Sequence, residues 1–396
     1  MTETDPVVIT AATRTPLGRF RGALASLPAW ELGARTLAAA LDRSGLSGDA
    51  VDEVVMGCVL PAGQGQAPAR QATRGAGLPD GVGATTVNKV CGSGMKATML
   101  AHDLILAGSA QVVLAGGMES MTNAPYLLPL ARDGYRAGHG RVFDHMMLDG
   151  LEDAYEGGRP MGDFGEATAA AYQFDRQAQD RYAMATLTRA RAAVESGAFA
   201  SEITPLSVPA KGGPIVVDRD EIPMGVSPDR IPGLKPAFRA DGTITAASSS
   251  ANADGAAALV LTRRSTAQAE GLPILAEIRG HATHSQDPAW FTTAPIPAMR
   301  KLLKKVNWSV DDVDLFEVNE AFAVVAMAAA RDLCIPEDRL NVNGGACALG
   351  HPIGATGARL LVTLLHALIA RGAQRGVASL CIGGGEATAI AIERPL

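Results

Sequence analysis

Short runs of valine, isoleucine and leucine alternate along the chain with alanine-rich stretches of ten to eighteen residues that carry helical periodicity. The runs, such as "PVVIT" at 6–10 and "ILAEI" at 274–278, have the length of buried strands. Strands spaced by helical crossovers predict parallel pairing and an α/β fold. Two helix ends are marked: the apolar stretch from Ala355 to Arg371 stops at Gly372, and "RQAQDRYAMATLTRARAAVESG" stops at Gly197, a C-cap residue in each case.

The pattern also repeats. "VDEVVMGCVLP" at 51–61 resembles "VDLFEVNEAFA" at 313–323; "VNKVCGSG" at 87–94 resembles "VNGGACALGHPIG" at 342–354; "AGSAQVVLAGGMES" at 107–120 resembles "RGAQRGVASLCIGGGEA" at 371–387. The matches keep their order and recur about 255 to 265 positions later, which indicates a duplicated domain rather than a solenoid repeat. The stretch from about Met118 to Ala251 is richer in proline, glycine and charge, and reads as an insertion covering a site. The expected organisation is a first core domain over 1–117 and 252–270, an inserted loop domain over 118–251, and a second core domain over 271–396.

Composition narrows the partners. Aromatics make up 4% of 396 residues and the formal net charge is −6, which argues against a nucleic-acid platform or an anionic-membrane surface. The five cysteines, at 58, 91, 334, 347 and 381, form no C-x-x-C pair and read as reduced thiols. "MTETDPVVIT" has no leader character, and the run "LLVTLLHALIA" is shorter than the ~20 residues of a bilayer span. A cytoplasmic chain with no membrane partner is expected.

Duplicated α/β domains bring equivalent turns face to face, and crevices beyond strand ends are where such sheets bind ligands. Four unusual residues fall on those turns: Cys91 at a helix start, His351 in the matching turn, Cys381 before three glycines, and Asn319 in "VNEAFA". Each has a bland use, as core filling, turn buttress or Asx-turn. Jointly they suit covalent acyl transfer: a helix N-terminus lowers a thiol pKa, a histidine takes the proton, and Gly92, Gly94, Gly383 and Gly384 let N–H groups reach a thioester oxygen. The expectation is a populated Cys91 thiolate. A second thiol fits a Claisen condensation, in which one cysteine holds an acyl group while the other moves an α-proton. A redox pair lacks a thioredoxin-type motif, and a zinc site from Cys91, Cys381 and His351 matches no ligand spacing.

At these residues the sequence resembles the thiolase family, in an ordered series covering nearly the whole chain: "RTPLGRFRGAL" at 14–24, "GQGQAPARQA" at 63–72, "NKVCGSGMKA" at 88–97, "GGMESM" at 116–121, "NEAFA" at 319–323, "GGACALGHPIGATGAR" at 344–359 and "CIGGGEA" at 381–387. It most resembles the bacterial biosynthetic branch that joins two acetyl-CoA, with degradative long-chain thiolases and a non-catalytic acyl-CoA or lipid carrier as alternatives. The resemblance implies a five-layered α/β/α/β/α thiolase fold and ping-pong chemistry on coenzyme A thioesters as substrates. It implies no separate cofactor and no metal, and a homo-oligomer, either a dimer or a dimer of dimers. By the same resemblance Cys91 is acylated, and His351 activates it and, with a water on Asn319, holds the second thioester oxygen. Cys381 moves the α-proton, and the N–H groups of Cys91 and Gly383 form the other oxyanion hole. Met161, Ala246, Ser250, Ala321 and Phe322 are implied to meet the acyl and pantetheine portions, and Lys211, Arg219, Arg230 and Lys235 lie where phosphates are met. Pro160 and "SSSA" at 248–251 depart from the short-chain pattern.

Overall fold

A computed structural model describes residues 5–395. Nine strands of four or more residues, β1 (Val7–Arg14), β2 (Glu53–Gly57), β3 (Gly83–Val87), β4 (Val112–Ser120), β5 (Ala253–Arg263), β6 (Ala276–Ser285), β7 (Leu315–Val318), β8 (Arg375–Ile382) and β9 (Glu386–Glu393), pair in the order β7-β8-β9-β6-β1-β5-β4-β2-β3, with Gly18–Arg19 added beside β5. At the centre β1 and β6 share only the pairs Val8–Glu277 and Ile9–Ala276. From this seam the order runs β1, β5, β4, β2 on one side and β6, β9, β8, β7 on the other, so the repeats seen in sequence occupy equivalent places.

The expected all-parallel pairing holds only in part. β2 with β3, β2 with β4, and β7 with β8 are parallel, whereas β5 and β9 run antiparallel to their neighbours. Only Gly383–Gly385 separate β8 from β9, and three residues can close a hairpin but not a crossover. The inserted segment leaves the sheet after Ser120 and returns at Ala253, with Ser120 facing Asp254 across the β4–β5 ladder.

Among the described residues eight helices have eight or more residues: α1 (Ala29–Ser44), α2 (Pro68–Gly75), α3 (Ser93–Leu106), α4 (Met161–Tyr172), α5 (Arg176–Ser196), α6 (Pro295–Val306), α7 (Ala323–Leu333) and α8 (Thr356–Arg371). α3 and α8 fill the central layer, α1 and α2 cover the first half-sheet, and α6 and α7 cover the second. Strand alternation divides the cores: Leu259 and Leu261 of β5 face the central helices, while Ala258 and Val260 face α1. Strands buried on both faces have no polar side, which is why they read as continuous apolar runs. α5 begins at Asp175, whose carboxylate accepts from the Ala178 N–H, and ends at Gly197 with φ +75°; α8 ends at Gly372 with φ +63°. No helix among the described residues is long and apolar enough to cross a membrane.

Candidate active site

The site forms where the N-terminal ends of α3 and α8 meet the ends of β7 and β8. The two helices approach closely: a Cβ on Gly357 would stand 2.3 Å from the Met95 backbone nitrogen, so only glycine permits this spacing. A Cβ on Gly92 would likewise lie 2.4 Å from Ile382 Cδ1, which packs the α3 start onto the end of β8. Cys91 is thereby brought beside Cys381, 290 positions later, and the turn after His351 is set against the start of α3.

Cys91 sits on a strained turn. Val90, β-branched, has φ +45°, a conformation costing about 1–3 kcal/mol that must be held by its surroundings. Its N–H donates to Asn88 Oδ1 at 2.9 Å, and its carbonyl accepts from Ser93 Oγ, which in turn accepts from the Lys89 N–H at 2.8 Å. Lys89 also pairs with Glu386 at the start of β9. The turn presents a partly exposed Cys91 whose sulfur lies near the main-chain N–H groups of Gly383 and of Cys91 itself.

The predicted thiolate is corrected by the surroundings. Burial pushes the Cys91 thiol up to about 11, outweighing the two N–H donors that favour the anion, and nearby Glu119 adds to the rise. Burial also holds Cys381, fully enclosed at the end of β8, well above the ordinary thiol value, with the closeness of Cys91 as a further cause. His351 is pushed down to about 3, first by burial and then by the Arg359 cation. The resting site therefore holds two thiols and a neutral imidazole. Since thiolate alone is alkylated, the rate of iodoacetamide modification of Cys91 should rise about 10-fold per pH unit from about pH 7 to about pH 10. A plateau below pH 8 in this titration contradicts the raised thiol.

The His351 ring is oriented from behind. Its Nδ1 lies 2.6 Å from Thr356 Oγ1, whose hydroxyl bonds the Pro352 carbonyl at 2.9 Å, and its Nε2 has no protein partner. Both side-chain atoms of Asn319, wholly buried after β7, are equally unpartnered by protein. Buried polar atoms without partners are rare and mark where a ligand or water is to be bonded. Glu119, in "GGMES", fixes the histidine turn: it accepts the N–H of Gly354 and of Val59 at 2.9 Å each and of Leu60 at 3.2 Å, while burial raises it to about 7. Neither Thr356 nor Glu119 was singled out in the sequence, though the segments holding both were. Their partners lie far along the chain or depend on the turn's shape.

A cavity of about 240 Å³ leads to His351, lined on its apolar sides by Met121, Met147, Leu151, Met161, Phe238 and Phe322. Pro160 and Ser250 complete the wall named in the sequence. Met161 stands at 3.2 Å from a Cβ built on Gly383, so it closes the cavity toward the glycine turn. Ala321 does not line this cavity; its carbonyl accepts the Ser250 N–H at 3.0 Å and positions that serine. Ala246 lines a second, apolar cavity of about 260 Å³ with Ser227, Arg230, Leu234 and Cys347, reached along the same segment 246–252. Of the four basic residues only Arg230 borders it; Arg219 borders a separate surface hollow beside Asp218.

Comparison with known proteins assigns the family of the chain. Residues 7–265 match the thiolase N-terminal domain and 272–394 the thiolase C-terminal domain. An acetyl-CoA acetyltransferase of Pseudomonas aeruginosa is 50% identical over 98% of this chain and 99% of its own length; one from Cupriavidus necator is 48% identical over the same shares. The crystal structure of the Bacillus anthracis acetyl-CoA acetyltransferase superposes with a TM-score of 0.96 at 41% identity over the whole of both chains. A thiolase from Ascaris suum in complex with coenzyme A does so at 0.94 and 40%, covering 98% of this chain and 100% of that one. With two thiols, an imidazole and paired N–H donors converging at the strand ends, and with both domain matches spanning it, the chain belongs to the thiolase family.

Proposed function

We propose that this enzyme is an acetyl-CoA C-acetyltransferase, joining two acetyl-CoA into acetoacetyl-CoA and free coenzyme A and running the reverse thiolysis. The observation that carries the reading is the pairing of Cys91, under the N–H groups of Gly383 and Cys91, with a second enclosed thiol, Cys381, beside it. In the first half-reaction the neutral imidazole of His351 takes the Cys91 proton as the sulfur attacks the thioester carbon and coenzyme A leaves. His351 hands that proton to the departing coenzyme A thiolate. In the second half-reaction Cys381 passes its own proton to the freed imidazole and, as thiolate, takes a proton from the methyl carbon of the next acetyl-CoA. The carbanion attacks the acyl carbon on Cys91, and the Cys91 sulfur leaves and regains a proton from His351. The tetrahedral oxygen is met by the two N–H groups, each worth about 3 kcal/mol in such a role. Asn319 and His351 Nε2 support the enolate oxygen.

The two thiols are ordered by charge. Two anions cannot share this enclosure: charge on the Cys91 sulfur would hold Cys381 protonated, and once Cys91 is a neutral thioester its sulfur can no longer take that charge, so the anion forms on Cys381 only after acylation.

The two cavities support a route for coenzyme A in which the pantetheine arm follows Ser250 and the nucleotide end lies by Arg230 and Ser227. The exposed side chains of Tyr126, Leu128, Leu130 and Val142 support self-association as the working state. Met161, against the glycine turn, supports a short acyl chain. Thiolysis rates measured with 3-ketoacyl-CoAs of increasing length are expected to fall beyond four carbons, by about 10-fold or more for two added methylenes that must displace Met161. A flat profile favours the long-chain degradative reading instead.

A further inference from the structure

The central layer carries a cluster that the reaction does not use. His102 and Asp103 lie near the C-terminal end of α3, and His281 lies on β6, the first strand of the second half. His102 Nδ1 is 3.3 Å and His281 Nε2 is 2.9 Å from the same carboxylate oxygen, Asp103 Oδ1, and the three atoms lie within 4.8 Å of one another. The two imidazoles meet edge to face with centroids 5.1 Å apart. We propose that His102, Asp103 and His281 form a binding site for a borderline divalent cation, zinc being the prototype, that braces α3 against the second half of the fold.

The donor set is the one such ions take: two imidazole nitrogens and a carboxylate oxygen, leaving a further position for water. Zinc bonds of about 2.0–2.1 Å place tetrahedral ligand atoms roughly 3.3 Å apart. The two edges to Asp103 Oδ1, at 3.3 and 2.9 Å, are already close to that length, and the two ring nitrogens lie within 4.8 Å of each other. Asp103 is half-exposed, its side chain 51% accessible, which gives the ion an entry path; His102 is buried and His281 nearly so. Both rings are held neutral by burial, so metal binding moves each ring proton to the other nitrogen without net release. The opposing charges are Lys305, whose Nζ donates to the His281 carbonyl at 3.2 Å, and Lys96, nearly two turns back on α3. They keep the affinity below that of a structural zinc centre. The cluster lies eleven residues beyond Cys91, about 16 Å along a helix, so the ion does not touch the reacting groups.

The test is calorimetric titration with zinc chloride alone, on the full chain and on Cys91→Ala, which separates uptake by the active-site thiol. Saturable uptake of a single ion per chain, equal in both proteins, is expected. His281→Gln, which keeps a donor facing Asp103, should weaken it by more than the roughly 10-fold typical of losing an outer-shell partner. Should His281→Gln melt early without metal, Asp103→Asn serves in its place. Cobalt(II) should give ligand-field bands without a sulfur-to-metal charge-transfer band. Absence of uptake, uptake unchanged in both ligand variants, or uptake lost in Cys91→Ala overturns the proposal.

Discussion

Replacing Cys91 by alanine is expected to lower acetoacetyl-CoA thiolysis by about 10⁴-fold or more, equivalent to about 5 kcal/mol of lost transition-state stabilisation. The size follows from the chemistry at this position. The other thiols are poorly placed to accept the acyl group: Cys381 is wholly enclosed at the end of β8, Cys58 and Cys347 are buried beside Glu119 and Glu320, and exposed Cys334 caps the C-terminal end of α7, the end away from Phe322. The Gly383 and Cys91 N–H groups remain in the variant, but with no sulfur beneath them they face no tetrahedral intermediate. The variant should retain the wild-type melting temperature to within a few degrees, because Cys91 is partly exposed and alanine tolerates the same backbone. Mass spectrometry after mixing with acetyl-CoA should show an acetyl adduct on the wild type and none on the variant. An adduct that persists in Cys91→Ala assigns the nucleophile elsewhere.

Cys381→Ala should lower turnover by about 10³-fold, and it should do so by a different route. Acylation of Cys91 needs only the Cys91 sulfur, the His351 base and the N–H pair, so the variant should still release coenzyme A stoichiometrically in a first burst. Carbon–carbon bond formation and cleavage need the α-proton, and Glu119, the other buried carboxyl near Cys91, is committed to the N–H groups of Val59, Leu60 and Gly354. Exchange of deuterium from solvent into the acetyl-CoA methyl group should disappear with the thiol. If exchange continues at the wild-type rate in Cys381→Ala, His351 is the base for both half-reactions and the division of labour between the cysteines is wrong. The burst and the exchange together separate a lost proton carrier from a disturbed site, since a collapsed pocket loses both.

Much of this protein was legible in its residue order. The alternation of apolar runs and alanine-rich helices gave the α/β class, Gly197 and Gly372 gave two helix ends, and the repeats placed equivalent turns before any coordinates did. The identity of the chemical groups was legible too, because cysteine, histidine and asparagine at Gly-rich turns have few joint uses. These are local facts: helix caps and strand patterns depend on residues within a turn or two of each other.

What the residue order misjudged was settled by segments distant along the chain. The helix start next to Cys91 suggested a thiolate, yet burial, with the charge of Glu119 adding to it, outweighs the nearby N–H groups and leaves a thiol near 11. The sheet is mixed because three glycines after Cys381 close a hairpin, and the seam between β1 and β6 is set by only two residue pairs. Ala321 proved to hold Ser250 rather than line the cavity, and Glu119 and Thr356 proved to fix the histidine turn. The sequence by itself determined which groups are present and which stretches form helix or strand, since those follow from neighbours in the chain. Only the tertiary structure decided how dry each group is, what faces it and which protons it keeps, because dielectric surroundings and hydrogen-bond partners are contributed by residues that only the fold brings together.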